Sequence, residues 1–294
     1  MAPDRAVQRG GKGAAVKITD GTVAVVTGGA SGIGRSCAVE FARLGAAVVI
    51  ADINEERIGD VVAELTGMGV RSLGVRCDVT DDDDVIRLRD EALAAMGHVD
   101  LLMNNAGAAL LGPPESVPID DWRWILDVNV LGVVRGASAF IPHMLQRGSG
   151  HIVNTASVAG LHAYSWDSIP YITSKFGAYG FSEGIYAYLK PHGIGVSVLC
   201  PGLVMTNLGE HARHAGTEDR VNWFHMPDWM LNNPIPAESV GPMVVQALEE
   251  DRFLILTHPE DATYLADRRN NLEASLAAQV ADAPIPPLPS ATAD

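Results

Sequence analysis

Val23-Ala24-Val25-Val26 runs directly into Thr27-Gly28-Gly29-Ala30-Ser31-Gly32-Ile33-Gly34, and a helical stretch from Ser36 to Leu44, stopped by Gly45, follows. This strand–loop–helix unit constrains the fold more than any other stretch of the chain. A short run that is apolar at every position is a strand buried on both faces, as in a parallel sheet between helical layers. Glycines at the turn let the backbone approach a pyrophosphate, whose charge is met by the N-terminus of the next helix. A plain strand-to-helix turn rarely needs four glycines in seven residues. The G-x-x-x-G-x-G spacing therefore reads as a dinucleotide-binding loop.

The rest of the chain repeats the alternation. Strands are expected at Ala46 to Ala51, Val70 to Cys77, Val99 to Met103, His151 to Thr155, Ile194 to Leu199 and Arg252 to Thr257. Between them, helices are expected at Glu55 to Leu65, after a Thr80 cap, along Trp122 to Leu145 despite Pro142, and from Tyr171 to Leu189. Right-handed crossovers then give a parallel sheet covered on both faces. With no second core pattern and no internal repeat, one domain is expected over 18–260. A flexible tail precedes it at 1–17, and an extension follows at 261–294, with Ala262 to Val280 helical and Ala283 to Asp294 loose.

The chain has 294 residues, 47% of them hydrophobic, enough for a sizeable core. Its net charge of −15 argues against nucleic acid and anionic membrane surfaces as partners. No continuous apolar run reaches bilayer length. Three widely spaced cysteines, Cys37, Cys77 and Cys200, read as reduced thiols of a cytoplasmic protein. The nine histidines show no metal-ligand spacing, and Asp81 to Asp84 read as acids compensating a helix dipole, so no metal is expected.

Tyr171 and Lys175 stand four residues apart on one expected helix, which places them on one face. A free phenol has a pKa of about 10, and a nearby ammonium favours the phenolate. Lowering that value by roughly three units asks about 4 kcal/mol, within reach of a lysine plus a nicotinamide cation in a partly dry site. Asp52, beside Ile53 at the end of the second strand, would accept hydrogen bonds from ribose hydroxyls and repel a 2′-phosphate, which favours NAD over NADP; it is also placed to cap the helix at Glu55. Asp78-Val79 closes the third strand, where the aspartate either receives an adenine edge or braces a turn. Asn105-Ala106-Gly107 are small enough for a cofactor to lie against the backbone. Asn129, an asparagine among apolar helical neighbours, reads as a buried polar residue. Ser157 sits at the sheet's mouth.

In this order the motifs resemble the short-chain dehydrogenase/reductase family, NAD-dependent and of standard length. The resemblance spans Thr27 to Thr206. It implies a single-domain Rossmann-type doubly wound parallel sheet of about seven strands. It also implies a tetrad: Tyr171 as acid/base, Ser157 holding the substrate oxygen, Lys175 lowering the Tyr171 pKa and binding the nicotinamide ribose, and Asn129 positioning a relay water. Cofactor contacts are then expected from Gly28, Ser31, Gly32, Ile33, Gly34, Asp52, Ile53, Asp78, Val79, Asn105, Ala106 and Gly107. Tyr171, Lys175, Pro201, Gly202, Val204 and Thr206 complete the set at the nicotinamide end.

The expected activity is an NAD(H)-dependent interconversion of a secondary alcohol and a ketone. An NADP-dependent ketone reductase and a non-catalytic nucleotide sensor are the alternatives. A homodimer or homotetramer through the helices near 120–145 and 171–190 is implied. The Ser157 to Tyr171 interval, with His162, Tyr164, Trp166 and Asp167, is slightly longer than usual in the family. His258-Pro259-Glu260 looks like that of members oxidising bulky ring-bearing alcohols. Residues 207–235 read as a substrate lid carrying Trp223, Phe224, Met226, Trp229 and Met230, faces suited to an apolar or ring-bearing substrate.

Overall fold

The computed structural model describes residues 15–215 and 232–282. Residues 1–14 of the expected tail at 1–17, the five lid residues named above and the last twelve positions lie outside the described residues. Seven parallel strands form one sheet: β1 (Val23–Thr27), β2 (Ala47–Asp52), β3 (Ser72–Arg76), β4 (Leu101–Asn104), β6 (Gly150–Thr155), β7 (Ile194–Cys200) and β11 (Leu254–Leu256). Their order is β11-β7-β6-β4-β1-β2-β3. The order reverses between β1 and β4, which pair through Ala24–Leu101 to Thr27–Asn104. A crevice must open outside the carboxyl ends of these two strands, because their following connections depart to opposite faces.

Helices α1 (Gly32–Arg43) and α2 (Glu55–Gly67) cover one face, with α7 (Val240–Glu249). Phe41, Leu65, Val244 and Leu248 pack there on Val26, Val48 and Ile50. The other face carries α3 (Asp82–Met96), α5 (Gly132–Arg147) and α6 (Ile169–Leu189). Leu88, Phe140, Met144 and Leu189 close it against Val25, Val49, Leu102 and Ile152. Strands apolar at every position thus end up between two helical layers.

Several boundaries differ from expectation for local reasons. Asp81, not Thr80, caps α3, accepting from the Asp83 and Asp84 amides at 2.8 and 3.2 Å. The helix expected from Trp122 is continuous from Ile119 to Arg147: α4 (Ile119–Leu126), a π turn over Asp127–Leu131, then α5, with Pro142 inside it. At 29 residues and a mean hydropathy of 1.4 over 18 residues it is long and apolar enough, by length and composition, to cross a membrane. Here its face of Val133, Ala137, Phe140 and Met144 is buried on the sheet. The expected helix in the extension is two, α8 (Asp261–Asn270) and α9 (Leu272–Asp282), parted by the extended Asn271. Two short parallel pairs were not expected: β5 (Leu110–Leu111) with β9 (Arg213–His214), and β8 (Val204–Met205) with β10 (Ile235–Pro236). Two residues carry no readable periodicity.

Asp261, the first residue of α8, is 2% exposed, and neither carboxylate oxygen has a hydrogen-bond partner among the described residues. Burial raises its pKa to about 6, against an opposing pull from His258. A carboxyl whose folded pKa lies above its unfolded value loses stability as pH rises between the two. Asp261→Asn is expected to match wild type near pH 4 and to exceed it by about 1–3 kcal/mol above about pH 7. Thermal melts across that range decide it; a gap that does not grow with pH removes the buried charge as its source.

Candidate active site

A cavity of about 670 Å³ opens along the carboxyl edge of the sheet. One end is bounded by Asp52, Ile53, Asp78 and Val79, and its middle by Gly28, Ser31, Gly32, Ile33 and Asn105 to Gly107. The other end is bounded by Ser157, Tyr171, Lys175, Pro201, Gly202, Val204 and Thr206. Two of the expected residues stand behind the wall. Gly34 packs on the loop itself, where a Cβ would lie 2.1 Å from the Gly28 carbonyl oxygen. Gly28 has φ +60°, and its own Cβ would meet Ala106 Cα at 2.8 Å, so the glycine loop is pressed against the turn after β4.

Asn129 is the second residue behind the wall, 1% exposed inside the π turn. Such a turn inserts a residue into the helix and re-aims side chains. Its amide donates to the Ala108 carbonyl at 3.0 Å and to Ser174 Oγ at 2.9 Å, and its Oδ1 accepts the Ala108 amide at 2.8 Å. Both amide hydrogens are therefore used in tying the 107–108 turn to α6.

The helix N-termini differ in what they leave open. α2 and α3 are capped by Asn54 and Asp81 and carry acids in their first turns. α1 has no side-chain cap at Ser31 and no acid in its first turn, although its start lines the cavity. Unpaired amides with an uncompensated dipole suit an anion, and the residues present fit the pyrophosphate of a dinucleotide. Asp52 does not cap α2; its oxygens accept the Ala30 and Asn54 amides, each at 3.1 Å. Asp78 braces a turn, its Oδ1 accepting the Thr80 amide at 2.9 Å and the Thr80 hydroxyl at 2.7 Å.

Pro170 in the first turn of α6 starts the helix that carries Tyr171 and Lys175. Lys175 Nζ lies 5.6 Å from the Tyr171 ring centroid and donates to the Thr155 carbonyl at 3.2 Å. Ser157 Oγ accepts the Ala159 amide at 3.1 Å and donates to the Pro201 carbonyl at 3.3 Å. Burial pushes the Tyr171 phenol up to about 12, with the neighbouring Ser157 hydroxyl pulling the other way. Burial also draws Lys175 down to about 8. In the protein alone, desolvation thus outweighs the hydrogen bonding that favours the phenolate.

Sequence reading missed part of the wall. Trp124 and Val128, one helical turn apart, line the cavity, and Arg213 lies 3.6 Å above the indole centroid while pairing with Asp121 at 3.0 Å. Arg57 also lines it and reaches Glu210 at 3.5 Å. The Trp124–Val128 spacing just before Asn129 was a usable signal; the Arg57–Glu210 pairing left none.

A sequence profile described as short chain dehydrogenase matches residues 22–216. The 1-deoxy-11-beta-hydroxypentalenate dehydrogenase of Streptomyces exfoliatus is 36% identical over 253 residues, covering 83% of this chain and 86% of that one. The D-threitol dehydrogenase of Mycolicibacterium smegmatis (strain ATCC 700084 / mc(2)155) is 38% identical over 193 residues, 66% of this chain and 74% of that one. A short chain dehydrogenase/reductase from Burkholderia phymatum, solved in complex with NAD, shares 34% identity with a TM-score of 0.78, covering 93% of this chain and 100% of that one. With the profile, the seven-stranded sheet and these relatives in agreement, the chain belongs to the short-chain dehydrogenase/reductase family of oxidoreductases.

Proposed function

We propose that this protein is an NAD(H)-dependent oxidoreductase interconverting a secondary alcohol and a ketone, with Tyr171 as acid/base. The observation that carries this reading is the joining of two features in one cavity. The uncapped start of α1 lies at its middle, and Tyr171, Lys175 and Ser157 lie at one end. A sensor needs only the first feature.

In this reading Asp52 accepts the adenosine ribose hydroxyls, and Ile53, Asp78 and Val79 flank the adenine. The glycine loop and the amides of α1 take the pyrophosphate. Lys175 serves the nicotinamide ribose, and Pro201, Gly202, Val204 and Thr206 the carboxamide. The dinucleotide supplies a hydride acceptor or donor when bound. Ser157 Oγ hydrogen-bonds the substrate oxygen, and Tyr171 removes or returns its proton. Asn129 holds the Ala108 turn and α6 in register. Support for a homodimer or homotetramer comes from the exposed Leu131, Phe176 and Tyr188 on the helices facing outward. Three buried, unpaired cysteines support a reducing, cytoplasmic setting. Residues 1–17 are then a tail, 18–260 the catalytic domain with a lid at 207–235, and 261–294 an extension.

The substrate is a bulky apolar or ring-bearing alcohol. Trp124, Val128 and Leu208 on the cavity wall support this. So does a relative named for a hydroxypentalenate, whereas one named for D-threitol points to small polyols. A panel of aryl, cyclic and polyol alcohols with NAD, read by nicotinamide absorbance, is expected to give cyclic or aryl alcohols a kcat/KM at least about tenfold above threitol. Polyols or short hydroxy acids in first place would overturn the substrate reading and leave the reaction type standing.

A further inference from the structure

Thr257, His258 and Glu260 form a turn between β11 and α8 to which the reaction above gives no task. Thr257 and His258 are 3% and 5% exposed. The Gly202 amide donates to Thr257 Oγ1 at 3.0 Å. Thr257 Oγ1 lies 2.8 Å from His258 Nδ1, and His258 Nε2 lies 2.8 Å from the Asn233 carbonyl oxygen. A carbonyl only accepts, so Nε2 carries the proton. In the neutral ring Nδ1 then accepts the Thr257 hydroxyl, whose oxygen accepts from Gly202. In that form each donor in this chain has one acceptor, and the bonds run in one direction from Gly202 to Asn233. Asn233 is held a second time, since its Nδ2 donates to Glu260 Oε1 at 2.9 Å.

The two ends of this chain are functionally distinct. Gly202 lines the cavity at the end occupied by Tyr171 and Lys175. A Cβ there would lie 2.6 Å from His258 Nδ1, so the ring packs on the Gly202 backbone. Asn233 stands two residues before Ile235, which pairs with Val204 and donates its amide to Leu203 at 3.0 Å. Val204 lines the same cavity end. The geometry points to Thr257 and His258 as positioning residues. They lock the Gly202 turn and the returning end of the 207–235 segment into one unit, which presets the wall met by the nicotinamide half of the cofactor. This rests on the cofactor reading above. Presetting a wall lowers the ordering cost of binding, so the device acts on cofactor affinity.

Two variants break the chain without removing bulk. Thr257→Val leaves the Gly202 amide without its acceptor, and His258→Phe removes both ring hydrogen bonds. His258→Gln offers one amide donor toward Asn233 as a partial rescue. NADH binding is read by its fluorescence, and backbone opening by hydrogen exchange of the full chain. Both breaking variants are expected to weaken NADH roughly tenfold, and His258→Gln to recover part of the loss. Exchange is expected to rise together at 202–206 and 233–236, with β6 unchanged. Exchange that rises only at 257–261 overturns the proposal, as does coupled exchange with NADH affinity unchanged. If wild type binds no NADH while exchange at the two segments still rises together, the cofactor reading fails and the mechanical link stands. Should His258→Phe lose its fold by circular dichroism, Thr257→Val alone decides.

Discussion

Tyr171→Phe is expected to lower kcat for the best alcohol by about a thousandfold while NADH binding stays within about threefold of wild type. The substitution removes one hydroxyl from a buried ring and leaves its volume, so packing against Ala109, Ala159 and Ile172 persists. What disappears is the group proposed to exchange the substrate proton. Lys175→Met is expected to differ in kind. Its ammonium donates to the Thr155 carbonyl and lies 5.6 Å from the Tyr171 ring, so its loss damages both NADH affinity and turnover. Burial places the phenol at about 12 in the protein alone, and an added cation lowers it. Alcohol oxidation needs the phenolate, so kcat/KM rises with pH through the working pKa, and Lys175→Met moves that limb to higher pH. A Tyr171→Phe enzyme with kcat within tenfold of wild type would remove Tyr171 as acid/base, and an unmoved limb in Lys175→Met would remove the lysine's electrostatic role.

What could be read in the sequence was what is local. Val23 to Gly34 carries its strand, turn and helix start in consecutive residues, and the sheet that forms around it has the expected number of strands. Tyr171 and Lys175 share a face because four residues make about one helical turn, and both line the cavity. The carboxyl edge of the sheet was legible because β1, β2, β4 and β6 each end there in a polar residue, Thr27, Asp52, Asn104 and Thr155.

What could not be read depends on where distant segments meet. The π turn that buries Asn129 adds one residue to a helix whose periodicity looked ordinary. The link from Gly202 through His258 to Asn233 joins three segments with no common pattern. Arg213 stacks on Trp124 across 89 positions of sequence. The depth of burial of Tyr171 and Lys175 also escaped, because spacing reveals a lysine nearby but not the extent to which both groups are stripped of water. Desolvation is a property of the assembled cavity.

Wild type is expected to prefer NAD(H) over NADP(H) by about a hundredfold in kcat/KM, and Asp52→Asn to reduce that preference to within about fivefold. The Asp52 carboxylate stands at the cavity end opposite Tyr171, held by the Ala30 and Asn54 amides. Those bonds fix its position, so it cannot swing aside for a second anion. Two like charges about 4 Å apart repel by roughly 4 kcal/mol at an intermediate effective dielectric, which covers a hundredfold discrimination even after screening. Asparagine keeps one oxygen to accept an amide and removes the charge, so the loop geometry is conserved as far as one atom allows. Its cost falls on NAD, since a ribose hydroxyl loses a charged acceptor. Its gain falls on NADP, because Arg57 lines the same cavity and, paired among the described residues with Glu210 at 3.5 Å, can turn toward a 2′-phosphate. Arg57→Ala in the Asp52→Asn background should therefore restore most of the preference for NAD by weakening NADP alone. Steady-state kinetics with both cofactors at a fixed alcohol test each step. A wild-type enzyme equally efficient with NADP(H) would show that Asp52 does not choose the cofactor.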